Sequence, residues 1–466
     1  MTGRKPEQLD VPLAYTQELS RSLSARDTVL ITLSSITPAS SVFIIVPTIL
    51  LGVGGASVLV MLAAAALCVA VGLCYAELSS RYPITGGEYT WAARLLGRTT
   101  GFAVFGLTLV AGLLITAVVA LGTGEYLGVA IPALNGKWIG VGVIVVTTVI
   151  ALANIRTNAW VTGIFLVVEV VAIVVLTVVG FRHPERGAGA LVHATTAAGA
   201  GLGPAGFAVV VAAIPVALFA YNGYGAAVYY AEETRDATQV IARVVIACLI
   251  GAVVIEVVPL IAVVVGAPSL TDLLHSAAPM NYLLETRAGH AVNAAVSVGI
   301  AIAIINAVIA IILQISRLLF ASARDGSWPA GVDRLLATVS KRTQVPVVAT
   351  LVVGALSAVI AAVMPMSWLI AATGATLIPV YVAVAGAALR VRSRQRGGTY
   401  RMPWWPVPPL VVIAAMVLVV FESVRTDWTP IAVALGILAV AAGYFAAYLR
   451  PRLGERWSLL EAPEEV

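Results

Sequence analysis

Long apolar runs separated by short polar segments dominate the pattern of the chain. Many of these runs reach about 20 residues, the length that crosses ~30 Å of hydrocarbon as an α-helix. The pattern therefore predicts an all-α integral membrane protein with twelve transmembrane helices, at about residues 28–50, 56–78, 100–122, 138–156, 159–181, 205–230, 239–265, 290–320, 346–364, 367–390, 407–422 and 428–449.

Two of the predicted spans contain residues that oppose a continuous helix. In the first span, the stretch Ser34–Ser41 ("SSITPASS") holds several hydroxyl side chains and Pro38. In the sixth, Asn222–Gly225 ("NGYG") follows Pro215 by one to two turns. Proline removes a backbone donor and clashes with the preceding turn, and glycine weakens helix formation. The sequence thus predicts that spans 1 and 6 are broken helices.

The positions of the two breaks predict how the chain is organised. Unwound backbone at membrane depth is tolerated only where it is buried in protein or lines a wet cavity. Breaks in spans 1 and 6 predict a 5+5 inverted repeat with a solute bound where the breaks meet. A proline kink and a glycine-rich packing face are the structural alternative. The predicted units are a cytoplasmic N-terminal segment, two five-helix repeats, two additional helices and a cytoplasmic C-terminal tail, at 1–27, 28–182, 205–390, 407–449 and 450–466.

Composition supports the membrane prediction and excludes several other classes of protein. The chain is 60% hydrophobic and 11% charged, whereas soluble domains carry about 25% charged residues. The net charge of +5 comes from residues between the apolar runs and does not predict nucleic-acid binding. The three cysteines have no metal-like spacing, so we expect neither a metal site nor another cofactor. The first 27 residues are polar, and we expect no cleavable signal peptide.

The distribution of lysine and arginine predicts the orientation. With both termini in the cytoplasm, the predicted outer segments hold few of the 28 basic residues, in agreement with the positive-inside tendency: Lys137, Arg182, Arg186, Arg287 and Arg425. We therefore expect a multi-pass protein of the cell membrane. The basic segment at 389–401 is interpreted as a topological anchor, with anionic lipid contact as the alternative. Nothing in the sequence indicates an oligomeric state.

Acidic residues inside the predicted spans are candidates for function. Glu169 lies in the middle of span 5 and Glu256 within span 7, near Pro259. A buried carboxyl group is expensive and commonly faces a cavity or a partner, although a neutral structural acid remains an alternative. Glu232 and Glu233 end span 6, where an inner-gate ion pair and simple solvation are both open. The cluster Arg317, Arg324 and Asp325 at the end of span 8 is either an anchor or part of such a gate.

Three motifs carry a resemblance to a known family. They are "AELSSRYPITGGEYTWAARLLG" (76–97), "NGYGAAVYYAEETRD" (222–236) and "SRLLFASARDGSWP" (316–329). In this order, the chain resembles the amino acid–polyamine–organocation (APC) superfamily of permeases over about residues 25–450. That resemblance implies the inverted-repeat fold of the bacterial leucine transporter.

The resemblance also implies where a substrate binds. Its carboxylate would meet backbone N–H groups at Ala39, Ser40 and Ser41, although the two glycines of the family motif are absent here. Its amine would meet the carbonyls of Thr37 and Asn222. Phe219 takes the position of the aromatic residue that closes over the substrate, and Tyr221 and Tyr224 either line the site or face lipid.

Coupling is the last property that the resemblance implies. Proton-coupled and exchanging relatives often carry a lysine in span 5 where this chain has Glu169, so Glu169 is the candidate coupling residue. Span 8 offers Ser297 and Asn306 but lacks the hydroxyl pair of sodium-driven relatives. The expected function is a secondary transporter that moves an amino acid by alternating access, linked to protons rather than sodium, with a polyamine or another organic amine as the alternative substrate.

Other functional classes fit the sequence less well. A membrane-embedded enzyme would need a nucleophile–base pair or a metal cluster within the spans, and all four histidines lie in or beside predicted outer loops. A channel would need a symmetric filter, which one pair of breaks does not provide. A sensor with the same fold remains open.

Overall fold

The chain folds into long apolar helices. A computed structural model describes residues 21–83, 86–131, 133, 136–153, 155–394 and 398–457. Within these residues, ten helical stretches are long and apolar enough to cross a membrane. Two shorter apolar helices, at 137–151 and 347–363, occupy the positions predicted for spans 4 and 9. The predicted all-α membrane protein is consistent with this structure.

The first half of the described chain begins with an interrupted helix. Its segments are α1 (Ala25–Ile36), α2 (Pro38–Ser40), a π-helical turn (Ser41–Ile45) and α3 (Val46–Val53). The helices that follow are α4 (Ser57–Arg81), α5 (Glu88–Leu95), α6 (Arg98–Ala130), α7 (Lys137–Ala151) and α8 (Ile155–Arg182).

A small hairpin separates the two halves. A short 3-10 turn (Ala188–Val192) precedes the antiparallel strands β1 (Thr195–Ala198) and β2 (Gly201–Pro204), in which Thr195 pairs with Pro204 and Ala198 with Gly201. The His275 imidazole contacts the hairpin through the carbonyl of Gly199 at 2.8 Å.

The second half also begins with an interrupted helix. Its segments are α9 (Phe207–Ala212), α10 (Ile214–Ala220) and a 3-10 helix (Tyr224–Glu233). The remaining helices are α11 (Ala237–Gly266), α12 (Leu270–His275), α13 (Pro279–Ala288), α14 (His290–Arg324), α15 (Ala330–Leu336), α16 (Val347–Val363), α17 (Met366–Arg394), α18 (Val407–Thr426) and α19 (Thr429–Tyr444), followed by a π-helical turn (Phe445–Leu449) and a 3-10 turn (Arg450–Arg452).

Burial separates the helices of the core from those of the periphery. α14 packs against α1, α6, α7 and α8, and most of its length is buried. A helix that is apolar around its whole circumference is suited to such a central position. By contrast, α18 and α19 expose large apolar side chains such as Val417, Phe421 and Val440. The broken segments α1, α2 and α10 are buried within this arrangement.

Candidate functional site

The break in the first helix is confined to one residue. Thr37 has left-handed backbone angles (φ 55°, ψ 59°) between α1 and α2. Pro38 begins α2, and the right-handed helical region is disfavoured for a residue that precedes proline. The unwound stretch predicted at Ser34–Ser41 is thus too long, because its flanking residues are helical. Hydroxyls are tolerated there because they bond to backbone, as Ser35 does with the carbonyl of Ile31 (2.9 Å).

The break in the sixth span follows α10 and lies where the sequence predicts it. α10 ends at Ala220, and the chain resumes as a 3-10 helix at Tyr224. Gly223 between them has a φ of 119°, which disfavours any residue with a side chain.

The two breaks are in direct contact. A Cβ atom added at Gly223 would lie 2.6 Å from both the amide nitrogen of Ile36 and the carbonyl oxygen of Ser35. Real Cβ atoms do not approach other atoms this closely, so only glycine permits this contact. The Ser41 hydroxyl makes a second link by donating to the Ala220 carbonyl at 2.7 Å. The predicted site residues on both spans therefore come together.

The residues assigned to the substrate amine lie on either side of this contact. The carbonyl of Thr37 accepts a hydrogen bond from the backbone N–H of Ser41 (2.9 Å). Asn222 is half-buried, and its side-chain amide donates to the Tyr381 hydroxyl at 3.4 Å. Phe219 is buried in α10, one turn before the break.

The side chain of Glu169, on α8, reaches the start of the half-helix that follows the first break. Its side chain is buried, and Oε2 accepts a hydrogen bond from the backbone N–H of Ala39 at 3.3 Å. Asn306 of α14 lies within hydrogen-bonding reach of the same carboxyl group. The N–H of Ala39, predicted to be free for a substrate carboxylate, is thus already engaged by a carboxyl group of the protein. Backbone N–H groups and the helix dipole favour an anion at this position.

Glu256 is a second buried acid at the breaks. It lies on α11 next to the Ser41 hydroxyl, and it is inaccessible to solvent. Neither of its carboxyl oxygens has a hydrogen-bond partner within the described chain. A carboxyl group in such surroundings is disfavoured in its charged form.

Tyr221 and Tyr224 are both buried, so the interpretation that they face lipid is wrong. The Tyr221 hydroxyl donates to the Met61 carbonyl at 3.1 Å. The Tyr224 ring packs edge-on against Tyr75, with 5.9 Å between the ring centroids.

A third acid, Glu88 at the start of α5, was not singled out by the sequence reasoning. The Tyr75 hydroxyl donates to its Oε1 at 2.6 Å, and the Tyr229 hydroxyl donates to Oε2. Burial raises the pKa of Glu88, whereas these two hydrogen bonds act in the opposite direction. Glu88 and Asn222 line the same cavity of about 40 Å³. The sequence offered one signal for this acid: Glu88 lies within the motif 76–97, and tyrosines occur in that motif and in the motif 222–236.

Two ion pairs tie the end of the 3-10 helix to α14. Arg317 contacts Glu233 at 2.5 Å with both side chains buried, and Arg324 contacts Glu232 at 2.9 Å. The prediction that Glu232 and Glu233 could be merely solvated is wrong. The neighbouring Asp325 accepts a hydrogen bond from the Tyr89 hydroxyl at 2.5 Å.

The N-terminal segment joins the same region through its backbone. The amide of Leu23 donates to the carbonyl of Glu233, and the amide of Arg235 donates to the carbonyl of Leu23. Ser24 and Asp27 form a capping box that begins α1. These contacts hold the start of α1 beside the end of the 3-10 helix.

A larger cavity of about 290 Å³ lies beside α3 and the π-helical turn. Its lining includes Phe43, Thr48, Glu125 and Asn281. Phe43 packs edge-on against Tyr126, whose hydroxyl donates to the Phe43 carbonyl. The second half of the broken helix thus runs from the breaks to a partly polar cavity.

Comparison with known proteins identifies the family. A family model described as "Amino acid permease" matches residues 23–447. The chain is 28% identical to an uncharacterised transporter of Mycobacterium tuberculosis, over 94% of both chains.

Two further relatives have named substrates. A probable GABA permease of Pseudomonas aeruginosa is 26% identical and covers 87% of this chain and 88% of its own. A branched-chain amino acid permease of Bacillus subtilis is 22% identical and covers 96% and 97%. The chain is thus a permease rather than an enzyme, and it belongs to the amino acid permease family of the APC superfamily.

Proposed function

We propose that the protein is a secondary active transporter that moves an amino acid across the cell membrane by alternating access, coupled to protons rather than sodium. The observation that carries this proposal is the contact between the two helix breaks, where Gly223 meets the backbone of Ser35 and Ile36. Broken helices that meet inside a membrane protein supply backbone groups to a solute where water is scarce. The named relatives, a GABA permease and a branched-chain amino acid permease, support an amino acid as the substrate.

The proposed architecture has twelve spans, with the ten long helical stretches completed by α7 and α16. The first ten spans form two inverted five-helix repeats, and α18 and α19 are additional. Both termini lie in the cytoplasm, which the distribution of lysine and arginine supports. The ion pairs of Arg317 and Arg324 with the 3-10 helix then lie on the cytoplasmic side. In this proposal they hold the inner side closed and separate when the site opens inward.

In the proposed binding mode, the substrate carboxylate lies at Ser40 and Ser41, at the positive end of the half-helix that begins with α2. It takes over the Ser41 donors that bond to the Thr37 and Ala220 carbonyls in this structure. The carbonyls of Thr37 and Asn222 accept hydrogen bonds from its amine. Phe219 covers the substrate from the outer side, and the cavity of about 290 Å³ is the outer vestibule.

Glu169 couples substrate binding to a proton in this mechanism. Its carboxyl group and the substrate carboxylate share the same helix end, since Glu169 already accepts the Ala39 N–H. Two negative charges in so small a space repel each other, and protonation of Glu169 removes that repulsion. Substrate and proton therefore bind together.

The polar groups of α14 support protons over sodium. Ser297 accepts a hydrogen bond from Asn281 at 2.9 Å. Asn306 donates to the Ser34 hydroxyl at 3.4 Å. A hard cation needs several oxygen ligands, whereas Ser297 and Asn306 supply only one side-chain oxygen each.

A polyamine or another organic amine is the second candidate substrate. The observation that favours it is the set of buried acids near the breaks, Glu88, Glu169 and Glu256, none of which forms an ion pair with arginine or lysine in the described part of the chain. Carboxylates of this kind attract cations, whereas they add nothing to the recognition of a neutral side chain.

Transport by the purified protein in liposomes tests the proposal. Labelled amino acids are expected to accumulate when the outside is acidic, without sodium, and a protonophore should abolish the accumulation. Glu169→Gln should remove the pH dependence of uptake while the protein remains folded. Glu455→Gln, at an exposed acid far along the chain, is the matched control. Uptake that requires a sodium gradient, or a Glu169→Gln variant with the pH profile of the natural protein, would contradict the proposal.

A further inference from the structure

The cavity of about 40 Å³ next to Asn222 has an unusual lining. Six helices contribute to it, together with Asn222 at the second break: α4, α5, α6, α14, α17 and the 3-10 helix that follows the break. The residues that matter are Tyr75, Glu88, Asn222, Tyr229, Gln314 and Tyr381. A single water-sized group fits a volume of this size, whereas a whole amino acid does not.

The carboxyl group of Glu88 lies between two tyrosine hydroxyls. Each of its oxygens accepts a hydrogen bond from a tyrosine hydroxyl, Tyr75 on one side and Tyr229 on the other. An ionised carboxylate only accepts hydrogen bonds, so two hydroxyl donors suit the charged form of Glu88. Within the described residues, no lysine or arginine forms an ion pair with Glu88.

The aromatic residues around Glu88 suit a cation. Tyr75, Tyr229 and Tyr381 all line the cavity, and Tyr381 shares a hydrogen bond with Asn222. Aromatic rings attract cations, and aromatic cages recognise ammonium ligands. A carboxylate together with three tyrosines is therefore complementary to an ammonium group and unfavourable for an anion.

We propose that Glu88, Tyr75, Tyr229 and Tyr381 form a subsite for a primary ammonium group at the distal end of the substrate. The subsite deepens the proposed function and rests on it, because Asn222 belongs both to this cavity and to the proposed substrate site. A basic amino acid such as lysine binds with its α-amino and carboxylate groups at the breaks and its side-chain ammonium at Glu88. Glu88 is then a specificity-determining residue.

A pair of ligands tests this subsite. Lysine and norleucine share an unbranched side chain of four carbons, but only lysine carries the terminal ammonium. The affinity of the purified full chain for each ligand is measured by titration calorimetry or by ligand-induced shifts in Tm. Lysine is expected to bind at least tenfold more tightly than norleucine. Glu88→Gln should remove this preference, whereas Glu455→Gln should leave both affinities unchanged.

Each outcome decides between the subsite and the transport proposal. Norleucine binding as tightly as lysine to the unmodified protein overturns the subsite, even if Glu88→Gln fails to fold, and leaves amino acid transport intact. A lysine preference that survives in Glu88→Gln also overturns it. Binding of cadaverine that requires Glu88, without binding of any amino acid, supports the subsite and contradicts amino acid transport. Absence of binding by all three ligands also overturns the subsite, and amino acid transport is then decided by the uptake assay in liposomes.

Discussion

Two groups of buried glutamates differ in their partners. One group binds arginine: Glu77 contacts Arg81 and Arg392 at 2.9 and 2.7 Å, and Glu232 and Glu233 contact Arg324 and Arg317. The other group, within the described residues, binds hydroxyl or backbone N–H groups or lies beside them: Glu88, Glu169 and Glu256.

This difference in partners distinguishes acids that fasten elements of the fold from acids whose charge is not compensated within it. A buried acid that is ion-paired has its charge compensated within the fold, so it fastens one element to another. A buried acid without such a partner remains costly unless a proton or a cationic ligand supplies the missing charge. The second group lies around the two breaks and the adjoining cavity, where such a ligand would bind. Pairing therefore indicates which acids fasten one element to another, as structure or as a gate, and which acids are candidates for binding a proton or a solute.

The largest effect is expected from breaking a pair of the first group. Arg317→Ala leaves the Glu233 carboxylate buried without its partner, and such a loss destabilises proteins by about 3–5 kcal/mol. Little folded protein should be recovered, which size-exclusion chromatography in detergent would reveal. Arg235→Ala, at an exposed arginine, should have little effect.

A double variant sharpens this prediction. Replacing both partners by apolar residues, as in Arg317→Met with Glu233→Leu, removes the uncompensated charge and should recover much of the folded protein. If the double variant is folded but transport is lost, the pair also contributes to gating. If Arg317→Ala is as stable as the unmodified protein, the pair does not hold the two elements together.

A smaller effect is expected when the pH is varied across the pKa of Glu88, a member of the second group. Burial raises the pKa of Glu88, and its neighbours Tyr75 and Tyr229 remain neutral in the acidic range. Below this pKa the carboxyl group is neutral and no longer attracts an ammonium group. The preference for lysine over norleucine should therefore fall as the pH is lowered, by at most about tenfold per pH unit, because protonation of Glu169 affects both ligands alike.

Norleucine is the internal control for that titration, because its affinity should not follow the charge of Glu88. The Glu88→Gln variant should bind lysine with a weaker pH dependence than the unmodified protein. A ratio of lysine to norleucine affinity that does not change with pH between 4 and 8 would argue against a charged Glu88 in the complex.

The smallest effect is expected at Asp325, which has both a hydroxyl partner and a nearby arginine. It bonds to Tyr89 and lies 3.7 Å from Arg324, while burial raises its pKa from 3.8 to about 6. The folded state therefore holds a proton that the unfolded state has lost between these values. The stability that this proton contributes is present below about pH 4 and is lost as the pH rises through about 6.

Asp325→Asn removes this titration. Relative to the unmodified protein, the variant should gain a few degrees of Tm between pH 4 and pH 7, as measured by differential scanning fluorimetry. A constant difference in Tm over this range would show that Asp325 keeps an ordinary pKa in the fold.

Several features were predictable because they depend on local pattern. The break at Gly223 followed from its neighbours, since asparagine and paired glycines within an apolar run disfavour a helix whatever surrounds them. The extent of the first break was not predictable, because the hydroxyl of Ser35 is satisfied one turn back in the same helix. The partners of Glu232 and Glu233 could not be assigned, since Arg317 lies far along the chain. The partners of Glu88 could not be assigned either, since Tyr75 and Tyr229 lie on two other helices.

The most direct test of the central claim counts protons during substrate binding. Calorimetric titration of an amino acid into the purified protein, in two buffers of different ionisation enthalpy, yields the number of protons exchanged. Uptake of up to about one proton per substrate is expected, since the substrate carboxylate meets Glu169 at the same helix end. Glu169→Gln should bind substrate without this uptake, and Glu455→Gln should retain it. No proton uptake by the unmodified protein, or equal uptake by Glu169→Gln, would contradict the account.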